Sequence, residues 1–106
     1  MNKYPSIIFL KRELRYNLTK SIRPKIIKAF VIGSEAKGNS NPNSDLDIAL
    51  IIPIVKGKTS IQYTESFHSH FISESQKPRW NNRIMDFQFY FEDDYELNEI
   101  TKIELF

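Results

Sequence analysis

Apolar residues recur at helical spacing over residues 6–22, where Ile7, Leu10, Leu14 and Leu18 share one side and Lys11, Arg12, Arg15 and Lys20 interleave on the other. This predicts an amphipathic, basic helix. Pro24 disfavours helical geometry at Arg23, so the helix should end there, and the β-branched run over residues 26–32 predicts a buried strand. Residues 33–44 hold two Gly, one Pro, three Asn and three Ser, which makes a loop apart from the Glu35-Ala36-Lys37 segment. A second strand is expected over residues 46–54, with Leu46, Ile48, Leu50 and Ile52 on one face and Asp45, Asp47, Ala49 and Ile51 on the other. The pattern over residues 59–74, with Ile61, Phe67, Phe71 and Ile72, predicts a helix. Residues 84–91 alternate as a third strand, with Met85, Phe87, Phe89 and Phe91 on one side and Ile84, Asp86, Gln88 and Tyr90 on the other. Leu97, Ile100 and Ile103 at spacing three, after Asp93, Asp94 and Glu96, predict a C-terminal helix over residues 94–106.

This order of elements implies an α/β (α+β) fold, a small mixed β-sheet with helices packed on it. The connection between the first two strands is too short for a crossover helix, so they should be antiparallel neighbours. The third strand follows a helical connection long enough to run parallel to the second.

With 106 residues, 41% hydrophobic, 26% charged and 13% aromatic, the chain fits one globular domain spanning residues 1–106. The absence of cysteine excludes disulfide frameworks, thiolate metal sites and cysteine nucleophiles. The longest nearly apolar run, residues 48–55, is far below the ~20 residues of a membrane helix, and the N-terminal Ile7-Ile8-Phe9-Leu10 is too short for a signal peptide. A cytoplasmic protein with no membrane contact is expected. Net charge is +2, but residues 1–40 carry nine Lys/Arg against two Asp/Glu, and residues 41–106 carry six against eleven. The halves are thus +7 and −5. A solvated basic helix and an acidic C-terminal helix account for most of this; without interleaved aromatic residues, nucleic-acid binding is disfavoured.

The predicted topology brings Gly33-Ser34, Asp45-x-Asp47 and Asp86 to one sheet edge. Asp45 and Asp47, two residues apart on one face, have Cα atoms roughly 6.6 Å apart. At a carboxylate separation of ~5 Å and an effective dielectric near 20, each pair repels by about 3 kcal/mol, which calls for a cation or a proton. Oxygen-only ligands suit a hard ion, Mg²⁺ or Mn²⁺, of the kind that bridges substrate phosphates. Gly33-Ser34 at a strand end lets backbone N–H groups and a hydroxyl approach a phosphate, and a helix starting at Glu35-Ala36-Lys37 would point its N-terminus there. The chemistry suggested is two-metal phosphoryl or nucleotidyl transfer.

The run Gly33-Ser34-Glu35-Ala36-Lys37-Gly38, followed after five residues by Ser44-Asp45-Leu46-Asp47-Ile48, resembles the nucleotidyltransferase signature of the DNA polymerase β superfamily, in its minimal branch. The resemblance is strong over residues 30–52 and weak over residues 86–106. It implies a polymerase β-like nucleotidyltransferase fold. Asp45 and Asp47 would bind both metals, with Asp86 as third ligand and activator of the acceptor hydroxyl. Gly33 and Ser34, with Lys37 and Ser44 of the same motif, would contact the nucleotide, ATP or another nucleoside triphosphate. Lys37 could equally be a solubilising residue. Two features depart from the family pattern: Glu35 adds an acid beside the phosphate loop, and Thr101-Lys102 lacks the glycine usual near the end of minimal members.

The resemblance further implies transfer of AMP to a hydroxyl on a partner protein, as the antitoxin of a pair whose toxin is of HEPN type. A partner subunit or a homo-oligomer would complete the cleft. The alternative is a non-catalytic protein that neutralises or scaffolds a partner, its metal site vestigial. An antibiotic-modifying enzyme is disfavoured, because those relatives carry an additional helical domain. Elsewhere, His68 and His70 cannot share a helix face as zinc ligands do and are expected to be ordinary surface residues. Trp80 would either stack a base or pack internally.

Overall fold

The computed structural model describes residues 3–17, 25–69 and 77–105. Its elements are α1 (Ile7–Asn17), β1 (Lys28–Ile32), the single turn α2 (Gly33–Ala36), β2 (Leu46–Ile52), α3 (Ser60–His68), β3 (Arg79–Trp80), β4 (Arg83–Phe91), a 3₁₀ turn (Tyr95–Asn98) and β5 (Ile103–Glu104). They form a five-stranded mixed sheet in the order β3-β4-β2-β1-β5.

Side-chain alternation fixes how the sheet is used. Leu46, Ile48, Leu50 and Ile52 of β2 lie in parallel register with Met85, Phe87, Phe89 and Phe91 of β4, and all eight are buried. Ala29 and Val31 of the antiparallel β1 continue the same face, opposite Leu50 and Ile48. Leu10 of α1 and Phe67 of α3 join this cluster. The Phe67 ring stands edge-on to Phe87 at 5.3 Å, and burying one such aromatic side chain stabilises the fold by about 1.5–3 kcal/mol. The opposite face carries Asp47 and Asp86 at the start of their strands.

β4 would be an open edge beyond its short pairing with β3, and side chains close it. Thr64 Oγ1 accepts from the Phe89 N–H at 2.8 Å, and one helical turn later His68 Nε2 donates to the Phe87 carbonyl at 3.1 Å. Asp94 Oδ2 accepts from the Phe91 N–H at 2.9 Å. Groups at i and i+4 of α3 thereby replace a neighbouring strand, which satisfies the backbone and blocks edge pairing with another chain.

Several sequence expectations are corrected. The C-terminal segment is a 3₁₀ turn followed by a strand, not a helix: Val31 and Phe30 of β1 pair with Ile103 and Glu104. An unpaired β1 edge outweighed the spacing-three pattern, and Ile103 faces outward while Leu97 is buried. The strands are shorter at the ends than expected, beginning at Lys28 in β1 and ending at Ile52 in β2. In α3, Ile61 is 59% exposed rather than part of the core. Leu18, His70, Phe71 and Ile72 lie outside the described residues. β3 was not expected; it enters β4 through Asn81-Asn82, both at positive φ (52° and 67°), the conformation of a two-residue type I′ hairpin. Trp80 has a packing role, with its ring edge-on to Phe9 at 4.8 Å and Nε1 donating to the Lys3 carbonyl at 3.1 Å. Among the described residues no helix is long and apolar enough to cross a membrane.

Candidate active site

β1 ends at Ile32, whose register partner on β2 is Asp47. The next residue, Gly33, turns the chain at φ +70°, and a β-carbon there would collide with Asp47 Oδ2. Both the left-handed backbone and the close approach require glycine. α2 then makes one turn, with the Lys37 N–H bonded to the Gly33 carbonyl at 3.1 Å and the Asn39 N–H to the Ser34 carbonyl at 3.0 Å. The turn starts at Gly33, two residues before the helix start expected from sequence, and is too short for a substantial dipole. Any phosphate contact here depends on individual N–H and hydroxyl groups. Lys37 is exposed at the end of this turn.

Asp45 is exposed just before β2, and Asp47 and Asp86 are half-buried register partners on β2 and β4. The antiparallel β1–β2 and parallel β2–β4 pairings thus place the three acids and Gly33-Ser34 at one sheet edge, as the topology argument required. Burial raises the Asp47 pKa above its ordinary value, and the charges of Asp86 and Asp45 push it the same way against a smaller opposing effect of Arg83.

Two residues that sequence reasoning passed over complete the site. His68 is no ordinary surface residue: Nε2 lies 3.3 Å from Asp86 Oδ1. The Phe87 carbonyl can only accept, so the Nε2 hydrogen is directed to it. Asp86 Oδ1 is therefore buried without a hydrogen bond among the described residues, although a histidine nitrogen is near. The position of His68 four residues after Thr64 was the available signal. Arg83 bonds to the Ser44 carbonyl through Nε at 2.8 Å and to Glu35 Oε1 through Nη1 at 2.6 Å.

Glu35 is consequently not a free acid beside the phosphate loop. Arg83, Ser40 Oγ at 2.9 Å and Tyr4 OH at 3.0 Å all donate to it, and its side chain is only 9% exposed. The Arg83 hydrogen bond is the main reason its pKa is lowered to about 2; burial opposes this, and Ser40 and Tyr4 add to the lowering. Ser44 likewise belongs to the loop's own bonding: its hydroxyl accepts from the Asn41 N–H at 3.2 Å.

Among the described residues no three His, Asp or Glu side chains could hold a metal ion as they stand. The donor chemistry nevertheless fits a hard cation. Burial and then the charges of Asp86 and Asp45 raise the Asp47 pKa, Asp86 Oδ1 has no hydrogen-bond partner, and the missing β-carbon at Gly33 lets the Asp47 carboxylate sit against the turn.

A mixed sheet brings a glycine-serine turn and three acids to one edge. The chain belongs to the nucleotidyltransferase-domain family, whose model matches residues 12–105, and it is a transferase with a nucleotide substrate. A crystal structure of a candidate nucleotidyltransferase from Sulfolobus solfataricus shares its fold, with a TM-score of 0.52 and 20% identity over 98% of this chain and 89% of that one. No curated protein matches the chain.

Proposed function

We propose that the protein transfers a nucleoside monophosphate, AMP from ATP, to a hydroxyl on a partner protein, with Mg²⁺ or Mn²⁺ held by Asp45, Asp47 and Asp86. The observation that carries this reading is the register of Asp47 with Asp86 beside the glycine that lets the backbone approach. Ions held by these carboxylates would lower the pKa of the acceptor hydroxyl and neutralise charge on the leaving pyrophosphate. The chain's own residues do the rest. Gly33 and Ser34 offer backbone and hydroxyl donors to the phosphates, and Lys37, exposed at the end of the turn, supplies positive charge. Ser44 closes the loop that leads into Asp45. Asp86, with its unbonded Oδ1, accepts the hydroxyl proton as the acceptor oxygen bonds to the α-phosphorus and the α–β phosphoanhydride breaks.

The partner is assigned by the signature's resemblance to minimal nucleotidyltransferases, as a HEPN-type toxin with a tyrosine acceptor, in a single-domain cytoplasmic antitoxin. Incubation with α-labelled ATP, Mg²⁺ and a HEPN-type candidate partner is expected to label that partner. Equal labelling by Asp45→Asn plus Asp47→Asn would sink the reading. Full neutralisation of the partner by that double variant, without label, would favour a binding protein with vestigial acids.

A further inference from the structure

One guanidinium bonds to both loop segments that frame the candidate site. Arg83 lies three residues before Asp86 on β4, and its side chain is 14% exposed. Nη1 bonds to Glu35 on α2 at 2.6 Å, Nε to the Ser44 carbonyl at 2.8 Å, and Nη2 approaches the Asp45 carbonyl at 3.4 Å. The strand carrying Asp86, the turn carrying Gly33-Ser34 and the chain entering Asp45-x-Asp47 are therefore joined through one rigid side chain. Glu35 is itself fixed, by Tyr4 OH at 3.0 Å, Ser40 Oγ at 2.9 Å and Lys3 Nζ at 3.6 Å.

A mostly buried ion pair adds little net stability over an apolar replacement, because desolvation offsets the attraction. What it does add is geometry. The guanidinium presents donors at fixed angles, whereas an ammonium is a single point that cannot meet three acceptors on different segments. We propose that Arg83 is a positioning residue: it holds the α2 turn and the Asp45 end of β2 in fixed relation to Asp86, and affinity for a nucleoside triphosphate depends on that hold. The inference rests on the nucleotidyl-transfer reading above and gives Glu35 a role on its far side, as the anchor of the Arg83 fork.

The test uses the full chain and its Arg83→Lys variant, which keeps the charge and loses the fork. ATP with Mg²⁺ is titrated calorimetrically, and amide exchange is followed at Lys37, Gly38, Asn39 and Ser44, whose N–H groups bond within the loop. Phe89 and Leu105, bonded to Thr64 and Ala29, serve as controls. The expected result is an about tenfold weaker ATP affinity and an about tenfold faster exchange at the four loop amides, with the two controls unchanged. Unchanged exchange and affinity would overturn the proposal. So would equal acceleration at Phe89 and Leu105, which would make Arg83 a general stability element. If the unaltered protein binds none of the four common nucleoside triphosphates, the nucleotidyl-transfer reading fails by itself. Exchange at the loop amides then still decides whether Arg83 holds the loop: local acceleration upholds it and none refutes it.

Discussion

Asp47 and Asp86 are register partners on the adjacent parallel strands β2 and β4, so the sheet itself sets two like charges side by side at a half-buried edge. Such an arrangement disfavours the fold unless something positive occupies it, and retaining it is the mark of a site that trades stability for function.

Asp47→Asn should therefore separate the two. Its folded pKa is raised, first by burial and then by Asp86 and Asp45, so the ionised form is the disfavoured one in the native state. The native state binds more protons than the unfolded chain between the ordinary and the raised pKa. Stability thus falls as pH rises through that window, and the penalty is fully present above it. At a pH above that window and without divalent ions, Asp47→Asn is expected to melt higher than the unaltered protein, while nucleotidyl transfer drops on the order of 10²-fold or more. A lower melting temperature would contradict the argument.

Glu35 behaves in the opposite sense. Its folded pKa of about 2 lies below the ordinary 4.5, mainly through the Arg83 hydrogen bond. Its contribution is complete above about pH 4.5 and is lost as pH falls through 2. The contribution is at most about 3 kcal/mol. Urea unfolding at pH 6 and pH 3 should show a smaller acid-induced loss of stability in Glu35→Gln than in the unaltered protein; parallel losses would refute this assignment.

Gly33→Ala combines two faults, a side chain at φ +70° and a β-carbon directed at Asp47 Oδ2. The backbone strain alone should cost about 1–2 kcal/mol, readable as a lower thermal midpoint. Mn²⁺ titration followed by electron paramagnetic resonance should also show weaker binding, because the Asp47 carboxylate must move. Gly57→Ala, at φ +80° with open space around it, provides the comparison: it should share the strain but not the loss of Mn²⁺ binding.

Thr64→Val keeps the side-chain shape and removes the acceptor for the Phe89 N–H. Loss of this bond should lower stability by about 1 kcal/mol in equilibrium unfolding. The uncovered β4 edge should also raise the tendency to associate, measurable by light scattering. Unchanged stability and scattering would show that α3 does not protect this edge.

Much of this was legible in the sequence because it depends on local periodicity. Alternation in residues 46–54 and 84–91 predicted two strands and their buried faces, and the short Gly/Asn/Ser connection required β1 and β2 to be antiparallel. Those facts suffice to bring Gly33, Asp45, Asp47 and Asp86 to one edge. The Asn81-Asn82 hairpin was not anticipated, because the two residues of β3 are too few to show alternation.

What the tertiary structure alone decided depends on partners far apart in the chain. The spacing of Leu97, Ile100 and Ile103 is compatible with a helix, but the open edge of β1 draws Ile103 and Glu104 into a strand. Glu35, an unexplained acid in the motif, becomes the anchor of Arg83 from 48 residues away. His68 reaches the Asp86 strand only because α3 lies along the β4 edge. Periodicity and turn chemistry are encoded in neighbouring residues, whereas edge satisfaction and buried charge pairing are met by whichever distant group the packed fold brings within reach.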